Sequence, residues 1–181
     1  SLSTSSSEGA RAGNCVRCKS GTYSLNPLYP GNLNSDDPSC SQCPAGANCR
    51  EGGHIVAFDK GNWTVVQDTL VLESCPFGHR IVNTTVVGSK EVFSHDVQMC
   101  SECDKGQECT SSWCSDCIAC RPGYYKAAVS TDPCVQCPAN SYREEPGASD
   151  IGMCLSCPSK SSTLGLKGQT SRRACVCDQD Y

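Results

Sequence analysis

The sequence predicts a small disulfide-rich fold, an elongated array of short β-hairpin cysteine-rich modules with a small antiparallel β insertion. Three observations carry this. Eighteen of the 181 residues are cysteine, the density of secreted disulfide scaffolds. Leu, Ile, Val and Phe together number 29, about a sixth of the chain, and below roughly 20% a chain normally buries too little apolar surface to offset its conformational entropy. Cysteine pairs also recur at a fixed internal spacing, as CVRC, CSQC, CSEC, CIAC, CVQC and CLSC, with CVC closing at Cys175 and Cys177.

Taken in order, residues 1–14 (SLSTSSSEGARAGN) are Ser/Gly-rich with one large apolar residue, the composition of a flexible linker. Residues 15–49 form a cysteine-rich repeat. Its pairs start short extended arms, Pro and Gly bend the backbone at their base, and a residue such as Tyr23, Tyr125 or Tyr142 covers the sulfurs. Residues 50–99 differ, because only Cys75 interrupts and nine of the thirteen valines fall between Val56 and Val97. Partial alternation of Val, Thr and aromatics predicts a β-rich insertion or module, with Gly88-Ser89 as a tight hairpin connection. An apolar patch is expected around Trp63, Phe77 and Phe93, either in a separately folding domain or in an elaborated loop packed on the repeats. Residues 100–120 are a cysteine cluster, and residues 121–181 are further cysteine-rich repeats. Helix signals are almost absent.

The pairs have four chemical readings. Two Cys-x-x-Cys units can supply a four-thiolate zinc site, but these pairs run on continuously without grouping into fours, and His54, His79 and His95 lie away from them. CSDCIAC, Cys114 to Cys120, imitates three ligands of an iron–sulfur run and lacks the fourth. Thiol–disulfide catalysis calls for one low-pKa pair at a helix start, and repetition argues against it. Structural disulfides suit the spacing as a ladder in which the second cysteine of one pair bonds the first of the next: Cys18–Cys40, Cys120–Cys134, Cys137–Cys154 and Cys157–Cys175, with Cys75 taking Cys100. The shared Cys-x5-Cys spacing of CPAGANC and CDKGQEC predicts local bridges Cys43–Cys49 and Cys103–Cys109, leaving Cys114–Cys117 as a third. Cys15 and Cys177 are unpaired on this scheme, which leads to the expectation that the array continues in both directions in a longer chain.

Oxidised cysteines place the protein outside the cell or in the secretory lumen. The sequons at Asn62 and Asn83 add candidate N-linked glycans. The net charge of −4 and pI near 5.3 argue against a nucleic-acid footprint, Arg172-Arg173 being the one basic doublet. No run of 18 apolar residues spans a membrane and no signal peptide is present, as expected of a processed chain or a piece of a larger one. Ser94-His95-Asp96 holds the residue types of a triad, but neighbours on a strand point to opposite faces. Asp36-Asp37, Glu144-Glu145 and CDQDY match no full calcium loop. No enzyme, metal or cofactor is expected.

The segment CVQCPANSYREEPGASDIGMCLSCPSKSSTLGLKGQTSRRACVCDQDY resembles the cysteine-rich repeat of ephrin-receptor kinase ectodomains, which also forms long arrays in extracellular proteins of algae, oomycetes and other protists. The matching features are Cys-x-x-Cys-Pro, Asn140-Ser141, the Gly165-to-Ser171 spacer and the terminal Cys-x-Cys with Tyr181; Asp180 stands where the family commonly has Gly. CPAGANCREGGHIVAFDKGNW is similar to a companion motif in protist surface proteins. The resemblance, shared in architecture with tumour-necrosis-factor-receptor modules, covers Cys15 to Cys49 and Cys100 to Tyr181. It implies a stapled rod serving as spacer, adhesion or filament or coat component of a secreted or cell-surface protein, with protein partners or self-assembly. The alternative is a fragment of a ligand-binding receptor ectodomain.

Overall fold

The computed structural model describes residues 18–25, 40–50, 54–67 and 69–178. The predicted linker 1–14, Cys15, Asp36-Asp37, Asp180 and Tyr181 lie outside them. The described residues are strand-rich, with eight disulfides, many short antiparallel hairpins and three single turns of 3₁₀ helix. Ten of their fourteen buried apolar residues are cysteines. Cystine therefore stands where a larger protein would place Leu, Ile and Phe.

The chain divides into two units: Ser1–Leu72 with Asn83–Met99, and Glu73–Val82 with Cys100–Tyr181. The stretch 50–99, expected as one β-rich insertion, is thus split, with Glu73–Val82 in the second unit.

The second unit uses one hairpin five times, closed by Cys75–Cys100, Cys103–Cys117, Cys120–Cys134, Cys137–Cys154 and Cys157–Cys175, each with Cα atoms 5.6–5.8 Å apart. The outgoing arm always begins four residues after the first cysteine, at His79, Gln107, Tyr124, Ser141 and Ser161. It pairs with a return strand at the second: Met99–Glu102, Ile118–Ala119, Val135–Gln136, Leu155–Ser156 and Val176–Cys177. Cys18–Cys40 closes a hairpin of the same form in the first unit, where Thr22–Tyr23 pairs with Ser41–Gln42. Arms this short are not stable alone in water, and the bridge at each base supplies what two residue pairs cannot.

Two expected local bridges are corrected. Cys103 bonds Cys117 rather than Cys109, and Cys114 bonds Cys109 rather than Cys117. Cys103 ends one pair and Cys117 begins the next, so their bridge keeps the offset used in the neighbouring hairpins. Cys109–Cys114 then ties the tip of the same hairpin, and all four cysteines are buried together.

In the first unit Cys43–Cys49 ties the start of Ala47–Arg50, which pairs with His54–Phe58 across an irregularity at Asn48/Cys49. Tyr23, Cys49 and Leu70 form a small core edged by Ile55 and Trp63. The Tyr23 hydroxyl accepts the Leu70 N–H at 2.8 Å. Gln98 is fully buried: its Oε1 accepts the Leu72 N–H at 3.0 Å, and its Nε2 donates to the carbonyls of Leu70 at 3.0 Å and His95 at 3.2 Å. One amide side chain so replaces a neighbouring strand, satisfying groups that would be costly to bury unpaired.

The apolar patch expected around Trp63, Phe77 and Phe93 does not form. Trp63 stacks on Phe58 with ring centroids 5.2 Å apart, whereas Phe77 and Phe93 are exposed. Phe77 sits in the turn after Cys75, in the other unit, where the bridged hairpin dictates its position. Gly88 and Ser89 connect Thr84–Val87 to Lys90–Phe93, a hairpin exposed at all eight strand positions.

Candidate functional site

The most constructed feature of the chain is the junction between successive hairpins, and it rests on one backbone position. The third residue after the first bridging cysteine has a left-handed backbone in every hairpin: Gly21 (φ 83°), Gly78 (73°), Gly106 (72°), Gly123 (79°), Asn140 (63°) and Lys160 (65°). Glycine reaches this region without steric cost and Asn tolerates it. The left-handed turn aims the carbonyl across the hairpin. There it accepts the N–H of the residue three beyond the second cysteine: Cys43, Cys103, Cys120, Cys137, Cys157 and Asp178, at 2.8–3.1 Å. In the second unit four of these donors are themselves the first cysteine of the next bridge. Closing one hairpin therefore positions the next.

The same residues are gripped from the following repeat. The N–H groups of Gly78, Gly106 and Gly123 donate to the carbonyls of Cys109, Lys126 and Arg143, at 3.1, 3.0 and 2.9 Å, and each acceptor lies six residues into the next hairpin. In return the carbonyls of Cys103, Cys120 and Cys137 accept N–H groups from Ser130, Gly147 and Gly168 in the next loop, at 3.3, 2.7 and 2.9 Å. The approach is so close that a Cβ on Gly78, Gly106 or Gly123 would collide with the backbone of Thr131, Gly147 or Gly168. Where Asn140 replaces glycine a side-chain pair takes over: its N–H donates to Thr163 Oγ1 at 2.9 Å and its Oδ1 accepts the Thr163 N–H at 3.2 Å.

Lys126 is embedded in one junction. It is 4% exposed, and its Nζ donates to the carbonyls of Ser130 at 2.6 Å and Cys103 at 3.2 Å. Burial lowers its pKa from the usual value, against the opposing pull of Asp132, Glu108, Glu102 and Asp104. Neither Lys126 nor Gln98 carries a signal in the sequence. A buried lysine stem looks like any surface lysine in a polar chain, and a lone Gln carries no pattern. The fixed Cys-to-Gly offset of three, by contrast, was available, and it marks Cys75-to-Gly78 as the start of another repeat.

The sequence-derived candidates are distributed as follows. Cys114, Cys117 and Cys120, the iron–sulfur-like run, belong to three different disulfides. Ser94, His95 and Asp96 lie on an extended residue followed by a 3₁₀ turn rather than along one strand, and His95 packs edge-on against Phe93. Glu144 accepts the Arg172 N–H at 2.9 Å, while Glu145 pairs with Arg143 at 3.1 Å. Asn62 is exposed on the strand Asn62–Val66; Asn83 is half-buried and its carbonyl accepts the Ser94 N–H. Cys177 is an exposed free thiol among the described residues. Among the described residues no cluster of three or more His, Cys, Asp or Glu side chains is arranged to hold a metal ion, and no helix is long and apolar enough to cross a membrane.

Hairpins on a cystine spine, joined through shared cysteines and a backbone clasp, define a disulfide-rich, cysteine-repeat module. Residues 109–154 match the family model described as tyrosine-protein kinase ephrin type A/B receptor-like. That stretch, about a quarter of the chain, is an ephrin-receptor-like cysteine-rich repeat. No curated protein matches the chain.

Proposed function

We propose that this chain is a non-enzymatic structural segment of a secreted or cell-surface protein, a stapled spacer serving adhesion or assembly into a filament or coat. The observation that carries the proposal is the junction itself. Cys103, Cys120, Cys137 and Cys157 each serve two hairpins, and the backbone of Gly78, Gly106 and Gly123 is locked to the next repeat. Bending between repeats would break several backbone hydrogen bonds at once, each worth about 1 kcal/mol net. Stiffness of this kind suits transmission of position or tension. It is supported by the extracellular setting that many disulfides and a receptor-type repeat favour.

The test is reduction under non-denaturing conditions. Hydrogen exchange should show slow amides at Gly106, Gly123 and Gly168 in the oxidised chain and rapid exchange once the cystines open. Unchanged protection after demonstrated reduction defeats the proposal. Glycans at Asn62 and Asn83 belong to the same reading and are checked by a mass shift on enzymatic deglycosylation of the secreted protein. The receptor-type match at 109–154 favours a second reading, a ligand-binding ectodomain fragment. A parent reading frame with one membrane span followed by a cytoplasmic signalling domain would select it.

A further inference from the structure

The second unit leaves an apolar side chain exposed at the same position of four consecutive hairpins. The residue directly after the second bridging cysteine is Ile118, Val135, Leu155 and Val176 in four consecutive hairpins, with 66, 51, 49 and 42% of each exposed. In each hairpin this residue opens the return strand, opposite Glu108, Tyr125, Tyr142 and Ser162 respectively. The junction bonds recur from one hairpin to the next, so the four residues occupy equivalent surface positions. Ser101 and Ser41 hold the same position in the other two hairpins, which confines the apolar row to these four. Other apolar side chains of this unit are exposed too, Trp113 and Leu164 among them, but these four share one repeated hairpin position, as the side chains of a docking surface would.

Charge is ordered along the same four hairpins. Around the first of these hairpins Glu102, Asp104, Glu108, Asp116 and Asp132 stand against Arg80, which pairs with Asp104 at 3.1 Å, Lys105 and Lys126, a net of −2. Residues 157–178 carry Lys160, Lys167, Arg172 and Arg173 against Asp178, a net of +3. One end of the apolar row is thus acidic and the other basic. A second copy laid antiparallel would face each end with its opposite, whereas a parallel copy would stack like on like. Antiparallel pairing also closes on itself with two-fold symmetry, the common geometry of soluble dimers.

We propose that the row Ile118, Val135, Leu155 and Val176 is the seam of an antiparallel self-association, with a second copy of this chain as its occupant. In that arrangement Val135 of one copy lies by Leu155 of the other and Ile118 by Val176, flanked by acidic-to-basic contacts at both ends. The inference rests on the assembly reading above and names the surface that performs it.

Sedimentation of the oxidised chain between about 1 μM and 1 mM, spanning weak to moderate affinities, tests it. A monomer–dimer equilibrium is expected. The exposed double variant Val135→Lys/Leu155→Lys should weaken it at least about tenfold, in proportion to the apolar surface removed from the seam. Arg173→Glu and Glu102→Lys should each weaken it roughly fivefold, because each change enters twice in a symmetric dimer. Mixing these two charge variants should restore association as a heterodimer, which a merely structural defect cannot do. Hydrogen exchange at Gly123 checks that each variant keeps its junctions. A monomer throughout the range, a dimer insensitive to the Val135/Leu155 variant, or no restoration on mixing overturns the inference, as does capture of a different protein by the row in a chain that stays monomeric. A monomer whose junction amides remain slow to exchange leaves the spacer reading standing, so the two failures are distinguishable.

Discussion

Gly123→Ala is the most direct probe of the junction, because Gly165 provides a control with the same backbone conformation. Both residues have φ of 79°. A Cβ on Gly165 meets nothing within 4 Å, whereas a Cβ on Gly123 would collide with the Gly168 carbonyl of the next loop. Gly165→Ala should therefore cost only the left-handed penalty of an L-residue, about 1–2 kcal/mol. Gly123→Ala adds displacement of the loop. The Gly123-to-Arg143 and Gly168-to-Cys137 hydrogen bonds, at 2.9 Å each, are lost or stretched at about 1 kcal/mol apiece. A total of about 3–4 kcal/mol follows, roughly 2 above the control. Because the cystines stay closed, the readout is local opening measured by hydrogen exchange at the residue-123, Arg143 and Gly168 amides, beside the denaturation midpoint. The Gly123 variant should lose protection at the junction while the Gly165 variant keeps it. Costs equal within about 0.5 kcal/mol, the spread expected of surface changes, would refute the clasp.

Non-reducing peptide mapping should return Cys103 linked to Cys117 and Cys109 linked to Cys114, and a Cys103–Cys109 peptide would contradict the folded arrangement; replacing Cys103 and Cys117 together by Ser should cost about 3 kcal/mol for a loop of this length. Lys126→Met should cost about 2 kcal/mol by leaving the Ser130 carbonyl without its donor, read from chemical denaturation at neutral pH. The lowered pKa of Lys126 means that the unfolded chain holds this proton more tightly, so wild-type stability should rise with pH from the lowered value up to the usual 10.5 and the Met variant should lack that rise; equal slopes in both proteins would count against burial of the charge. Gln98→Glu should destabilise the first unit by about 3 kcal/mol or more, since a carboxylate presents oxygen to the carbonyls of Leu70 and His95, and the loss should lessen on acidification as the group is protonated; a neutral effect at pH 7 in thermal melts would rule out the buried amide bridge.

Legibility in the sequence followed locality. The hairpins opened by Cys120, Cys137 and Cys157 are short, so the cysteine offset and the proline just after the first cysteine fall within one window and point the same way. The hairpin opened by Cys75 is harder to see, because Thr84–Val87 and Lys90–Phe93 are inserted into it and belong to the other unit. Its valines gave residues 50–99 a β signal that hid the repeat beneath. At Cys103 two spacing rules compete: local Cys-x5-Cys spacing points to Cys109, whereas the offset that neighbouring hairpins obey points to Cys117, the partner it takes. The expected cluster of Trp63, Phe77 and Phe93 failed for a related reason. The three residues lie near one another in sequence, but Cys75 commits Phe77 to a different unit.

Composition and cysteine rhythm alone determined that this protein would be held by cross-links, because so few large aliphatic side chains leave no other source of stability. Only the tertiary structure decided that Cys103 meets Cys117 and Cys109 meets Cys114, and that Gln98 and Lys126 are buried. Those outcomes depend on which backbone groups from distant segments face one another, and a hydrogen bond between residues twenty or more positions apart leaves no periodic trace in the chain.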